Sequence, residues 1–163
     1  MKTPGLRLFS CRAMAVGENA VRLAVMPYQK EGAGLLSPAC AKNIRRHLEK
    51  YRMVGTSIQV GPPEYIFVSV TAELSIRPQY RDGGRMARER IREFFEARKE
   101  RMGEPLKYRQ LYAMLDGLDF VEEIRFLTLE ARGNRFIRSG SGDVIPPPDG
   151  VFLLKELECI TAV

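Results

Sequence analysis

The sequence predicts an α+β fold in which helices cover one face of an antiparallel or mixed sheet. Three observations carry this. In "GPPEYIFVSVTAELSIRP", residues 61–78, Ile66, Val68, Val70, Ala72, Leu74 and Ile76 alternate with Tyr65, Phe67, Ser69, Thr71, Glu73, Ser75 and Arg77, the period-two pattern of a two-faced strand. Two other stretches place apolar residues at helical spacing, with charges on the opposite side. Strand-like and helix-like segments also interleave along the chain.

In order, VRLAVMP (21–27) reads as a short buried strand closed by Pro27. Ser37-Pro38 then starts a helix over 38–52, with a hydroxyl to cap it and a proline in the first turn, where its missing N–H costs nothing. Cys40, Ala41, Ile44, Leu48 and Tyr51 form its inner stripe. TSIQV (56–60) is the next strand, and Gly61-Pro62-Pro63 is read as the hairpin turn joining it to the long strand, since proline cannot donate to a ladder.

Arg77-Pro78 ends the long strand, and Asp82-Gly83-Gly84 leads into a second helix, stopped by Gly103 and Pro105. Ala87, Ile91, Phe94, Phe95 and Met102 make its inner stripe, while Arg85/Glu89 and Arg92/Glu96 pair across one turn outside. KYRQLYAMLD (107–116) is a short amphipathic helix carrying Leu111, Met114 and Leu115. VEEIRFLTLEA (121–131) follows as a strand, its inner side assigned to Val121, Ile124 and Phe126, with Leu127 contributing. GNRFIRSGSGDVIPPPDG (133–150) reads as a long exposed loop and VFLLKELECITAV (151–163) as a return to strand.

From residue 21 to residue 131 this order is the split βαβ arrangement of a ferredoxin-like sandwich, with a C-terminal β extension. Residues 1–132 are expected to form the sandwich core, and 133–163 a Gly/Pro-rich loop and β segment packed on or beside it. Burying one side of the long strand contributes on the order of 10 kcal/mol before entropy.

A chain of 163 residues, 45% apolar, can bury one core or two small lobes. No stretch reaches the length of a membrane span and the N-terminus lacks a signal-peptide core, so the chain is expected to remain in the cytoplasm where it is made. Cys11, Cys40 and Cys159 have no CxxC spacing and read as reduced, mostly packed thiols. The single histidine, His47, lies on the first helix beside Ile44 and Tyr51 and reads as a packed ring. The net charge of +6 is uneven: residues 1–60 hold 10 basic and 3 acidic groups, residues 103–163 hold 7 and 10. Opposite ends of opposite sign suit head-to-tail contact between protein subunits.

Catalytic, metal and cofactor sites are all expected to be absent. One histidine cannot serve a nucleophile triad unless a carboxylate faces it, and Glu49 points elsewhere. Gly140-Ser141-Gly142 lacks the Lys and hydroxyl that follow a P-loop. Glu122 and Glu123 are adjacent in a strand and face opposite ways. In RMARERIREFFEARKER, glutamates nearly match arginines, so the field cancels along a solvated face rather than tracking phosphates. Tyr65 and Phe67 lack the glycine-rich basic context of an RNA-binding RRM strand. A small ferredoxin-like RNA- or ligand-binding domain is the alternative reading.

The run "TPGLRLFSCRAMAV", "VRLAVMP", "LLSPACAKNIRRHLEKYRMVGTSIQVGPPEYIFVSVTAELSIRPQY", "LKYRQLYAMLDGLDFVEEIRFLTLEA" and "GDVIPPPDGVFLLKELECITAV" resembles the C-terminal part of the baseplate J-like proteins of contractile-tailed phages and related injection machines. The matching features are Val25 to Pro27, Gly55-Thr56, Pro62 and Pro63, residues 65–77, and Leu111 to Leu118; none is catalytic. The resemblance implies a structural component of the baseplate wedge, assembled in the host cytoplasm and carried in the virion tail, prophage particle or injection device. It implies contacts with other wedge proteins, no enzyme activity, no cofactor, and no nucleic-acid or membrane partner. Family members carry a further region ahead of the TPGL segment, so it also implies a fragment or a shortened relative. The partner-contact face expected from this reading is Tyr65, Phe67, Ser69, Thr71, Glu73, Ser75 and Arg77.

Overall fold

A computed structural model describes residues 8–28 and 35–162. The chain divides into two compact units, Met1–Glu64 and Tyr65–Val163. The fold is α+β, with three helices, antiparallel and mixed sheets, and a long C-terminal strand. The strands of the described residues fall into two three-stranded sheets and one two-stranded ribbon, where their order along the sequence pointed to one sheet.

The first unit holds β1 (Leu8–Ala15), β2 (Ala20–Pro27), helix α1 (Pro38–Glu49) and β3 (Ser57–Gly61), with sheet order β1-β2-β3. β1 was not anticipated, because LFSCRAMA neither alternates nor carries a β-branched residue; it is a strand through pairing antiparallel with β2. β2 and β3 run parallel, in register from Ala20↔Ser57 to Ala24↔Gly61, which the intervening helix permits. The Ser37 hydroxyl caps α1 by accepting from the Cys40 N–H at 3.2 Å. The helix stops at Glu49, short of the expected residue 52, and Tyr51, assigned to its inner stripe, is 65% exposed. Ile44 is the buried residue of that stripe.

The diproline is not a hairpin turn. β3 pairs with β2 and the next strand pairs elsewhere, so Pro62 and Pro63, two successive residues without an N–H, end one ladder and let the chain leave for a second sheet.

The second unit contains β4 (Glu64–Ile76), α2 (Gly83–Arg98), α3 (Tyr108–Asp116), β5 (Val121–Arg132), the two-residue strands β6 (Ile137–Arg138) and β7 (Val144–Ile145), and β8 (Gly150–Ala162). Its main sheet runs β5-β4-β8, with the long strand at the centre. The six alternating apolar residues of β4 are all buried, packed in one cluster with Ala87, Ile91 and Phe95 of α2 and Leu111 and Leu115 of α3. The helices cover one face, as the alternation required.

β5 departs from simple alternation. Its register with β4 slips between Glu73 and Leu74 and again between Ser75 and Ile76, so Arg125 and Glu122 are bulged residues. Each bulge adds a residue and flips the phase. The core-facing positions are therefore Val121, Ile124, Leu127, Leu129 and Ala131, opposite Ile76, Leu74, Ala72, Val70 and Val68. Phe126, assigned inward from sequence, is paired with Glu73 and is 53% exposed.

Residues 133–150 are more ordered than the exposed loop their composition suggested. β6 and β7 pair, Val144 is fully buried, and Leu106 and Val144 exchange backbone hydrogen bonds at 2.9 Å in both directions. The Asp143 carboxylate accepts from the Tyr108 N–H at 2.9 Å, capping the start of α3 across 35 residues of chain. The charged run of α2 also hides a buried group. Arg98 is 6% exposed, donates to the Pro105 carbonyl at 3.1 Å and to the Gln110 side chain, and stacks over the Phe94 ring at 4.9 Å.

Candidate functional site

The seven residues expected to form a contact face lie on or beside one strand, and the structure distributes them unevenly. Phe67, Ser69, Thr71 and Glu73 form a row on the β4 side turned away from the core, at two-residue intervals of about 7 Å. Phe67 is 39% exposed and the other three are half-buried. Tyr65, at one end, is half-buried, and desolvation pushes its phenol pKa up. Ser75, at the other end, is buried at 8% exposure and contributes little accessible surface. Arg77 is exposed but lies past the last strand residue, its backbone N–H donating to the Phe120 carbonyl at 3.1 Å.

The neighbouring strands extend this row into a surface. Antiparallel partners share a face, so Arg132, Glu130, Thr128 and Phe126 of β5 stand beside Phe67, Ser69, Thr71 and Glu73. From β8, Glu156 accepts a hydrogen bond from the Ser69 hydroxyl at 3.3 Å. Arg125, thrown out by its bulge, sits 3.9 Å from Glu73 and 3.8 Å from Glu123. The surface is a threonine pair flanked by two phenyl rings and carboxylates that outnumber their guanidiniums. The two rings are too far apart to stack: Phe126 lies opposite Glu73, six residues or about 20 Å along β4 from Phe67. The β5 and β8 members of this face were missed in the sequence. Only the pairing register brings them beside β4, and the bulges erase the alternation that would have marked Phe126 as outward.

The exposed ion pairs of this surface are long and solvated. Among the described residues no group of three or more His, Cys, Asp or Glu is gathered as a metal ion would need. His47 is half-buried with its ring 5.6 Å from that of Tyr51, and Glu49 instead pairs with Arg45 and Arg52. Ser139, Ser141 and Asp143 are linked by hydrogen bonds of 2.9 and 3.1 Å, so the glycine-rich loop is spent on the α3 cap. Cys159 is buried, with a thiol pushed up by desolvation against a smaller opposing effect of Arg88. Cys40 is half-buried, but Cys11 is exposed, against the expectation of mostly packed thiols. No helix among the described residues is long and apolar enough to cross a membrane.

No protein-family model matches the chain, and no curated protein matches its sequence. Its fold is similar to that of a chain in the cryo-EM structure of the anti-feeding prophage baseplate, six-fold symmetrised, with a TM-score of 0.64 and 18% identity over 85% of this chain. The chain spans 29% of the length of that neighbour. At this identity the likeness establishes a shared fold.

Proposed function

We propose that this chain is a structural component of the baseplate of a contractile tail or injection device, related to the baseplate J-like wedge proteins. It works by contact with other baseplate proteins and without catalysis. The observation that carries this reading is the fold shared with an anti-feeding prophage baseplate chain over 85% of its residues. The sequence resemblance to the baseplate J-like family supports it independently, since it rests on residues rather than on backbone shape. The open face of the second unit supports it too. A three-stranded sheet with one side fully packed presents, on the other side, a rigid and mixed polar-aromatic surface of the kind protein partners use. In this reading Phe67, Thr71 and Glu73 of β4, with Phe126 and Thr128 of β5, meet a neighbouring wedge protein. The particle is assembled in the producing cell's cytoplasm and carries the chain in its tail.

Complementation tests both parts. Particles are purified from a host lacking the chain and supplied either with the wild type or with a Phe67→Asp/Thr71→Arg variant, and imaged by electron microscopy. Wild type is expected to restore complete baseplates, while the variant, folded but carrying two mismatched charges, leaves them incomplete. Complete baseplates without the chain overturn the assignment. Complete baseplates with the variant overturn the contact face alone.

A further inference from the structure

The first unit holds a cleft that the sheet face of the second unit does not explain. Strand β3 is an edge: β2 pairs with it on one side, and no described strand lies on the other. Ser57 donates its N–H to the Asn19 carbonyl at 2.8 Å, which sets the phase of the ladder. In a parallel pair alternate residues turn their backbone groups to the same neighbour. Ser57, Gln59 and Gly61 therefore bond toward β2, and Ile58 and Val60 turn their N–H and C=O groups to the open side. Long exposed edges of this kind invite another strand unless something blocks them.

At its start the Thr56 carbonyl is taken up by the Arg52 guanidinium at 3.0 Å, and beyond it no described strand pairs with Ile58 or Val60. The edge opens into a cleft of about 500 Å³ walled on its far side by Ala41, Lys42 and Arg45 of α1 and floored by residues 57–60 of β3. β5, an edge of the other sheet, shows the contrast. The carbonyls of Leu127 and Leu129 are taken up by the Tyr108 hydroxyl at 3.1 Å and the Arg138 guanidinium at 2.5 Å, and two bulges break its line. Two carbonyls of the one edge are taken by side chains; the other edge faces a helix-walled slot.

We infer that this slot binds an extended acidic segment of a partner protein, which adds to β3 as a fourth strand. The backbone groups of Ile58 and Val60 supply the ladder, and the five residues of β3 set the length of the paired segment. Charge chooses the occupant. Lys42 and Arg45 are both exposed and line the cleft on the α1 side; Arg45 also lies 3.8 Å from Glu49, a solvated pair that an incoming carboxylate can replace. The unit that holds it, residues 1–64, carries 10 Lys and Arg against 4 Asp and Glu, so it accounts for the whole +6 of the chain, the remaining 16 and 16 cancelling. Carboxylates on every second residue complement this wall, and their steering is strongest at low salt. The inference stands on the cleft alone and does not depend on the baseplate reading.

The test uses the full chain and the acetylated, amidated peptide Thr-Glu-Val-Glu-Val-Glu-Thr as probe, followed by amide NMR and anisotropy. The glutamate peptide is expected to bind with shifts centred on the Ile58 and Val60 amides and slowed hydrogen exchange there. The same peptide with lysines for glutamates is expected not to bind. A Lys42→Glu/Arg45→Glu variant, altered only at exposed positions, weakens binding by roughly tenfold or more. N-methylating alternate peptide amides abolishes it, because the ladder is lost while the charge remains. Failure of the glutamate peptide to bind at millimolar concentration, shifts located away from β3, or binding indifferent to N-methylation would each overturn the inference.

Discussion

The double bulge in β5 makes a prediction that simple strand alternation reverses. Leu127 sits opposite Ala72 and is 8% exposed, whereas its neighbour Phe126, the larger and more apolar-looking residue, is 53% exposed. Truncating Leu127 to Ala removes buried methyl groups from the cluster shared by Val70, Leu74 and the two helices, and leaves a cavity there. Such changes cost about 2 to 4 kcal/mol. Truncating Phe126 removes a ring whose surface is already about half in water, and costs about 1 kcal/mol or less. The assay is urea unfolding followed by far-UV circular dichroism. With a slope near 2 kcal/mol per molar urea, Leu127→Ala lowers the midpoint by about 1 to 2 M and Phe126→Ala by about 0.5 M or less. A Phe126→Ala loss equal to or larger than that of Leu127→Ala would refute the bulged register. It would also remove Phe126 from the open face.

Three further outcomes follow from particular contacts. Arg98→Ala takes a donor from the Pro105 carbonyl and the Gln110 side chain in a buried site, and is expected to cost about 2 to 3 kcal/mol in thermal unfolding, against about 0.5 kcal/mol or less for the exposed Arg90→Ala. Gly83→Ala should destabilise although alanine is the better helix former by about 1 kcal/mol, because a Cβ there collides with Ile76 Cγ2; a raised melting temperature would contradict that packing. Cys11 is expected to react with a thiol reagent in the folded protein while Cys159 does not. Desolvation raises the Cys159 pKa, so less thiolate is present at any pH through the unfolded value of about 8.5, and both burial and charge state slow its labelling. The same raised pKa means that stability is full below the unfolded thiol pKa and falls as pH rises past it, since the unfolded chain ionises first. Labelling of Cys159 at a rate equal to Cys11 at pH 7 would show that it is not packed.

Much of the fold was legible in local patterns, and the parts that were not share a cause. The β4 alternation identified its packed face because the extra residues of both bulges lie on β5, so β4 itself keeps period two along its length. α1 announced itself through Ser37-Pro38, a cap chemistry local to four residues. β1 was invisible because its strand state comes from β2 rather than from its own composition. The diproline was rightly a break but wrongly a hairpin: proline ends a ladder whatever lies beyond it, and says nothing of which strand comes next. Phe126 was misplaced because a bulge depends on how two strands pair, not on either alone.

The same division runs through the molecular surface. Local pattern was enough to tell that β4 has an apolar and a polar side and that residues 1–60 carry an excess of positive charge. Period, composition and charge are additive along a chain, so they can be read without knowing the fold. It took the folded chain to bring Phe126, Thr128, Glu130 and Glu156 beside the β4 row, to cap a helix with Asp143 from 35 residues away, and to set the β3 edge against a basic helix while two β5 edge carbonyls are taken by side chains. Each of these is a meeting of residues remote in sequence. The register and topology that bring them together are settled by the packing of the whole unit, and no local pattern encodes them.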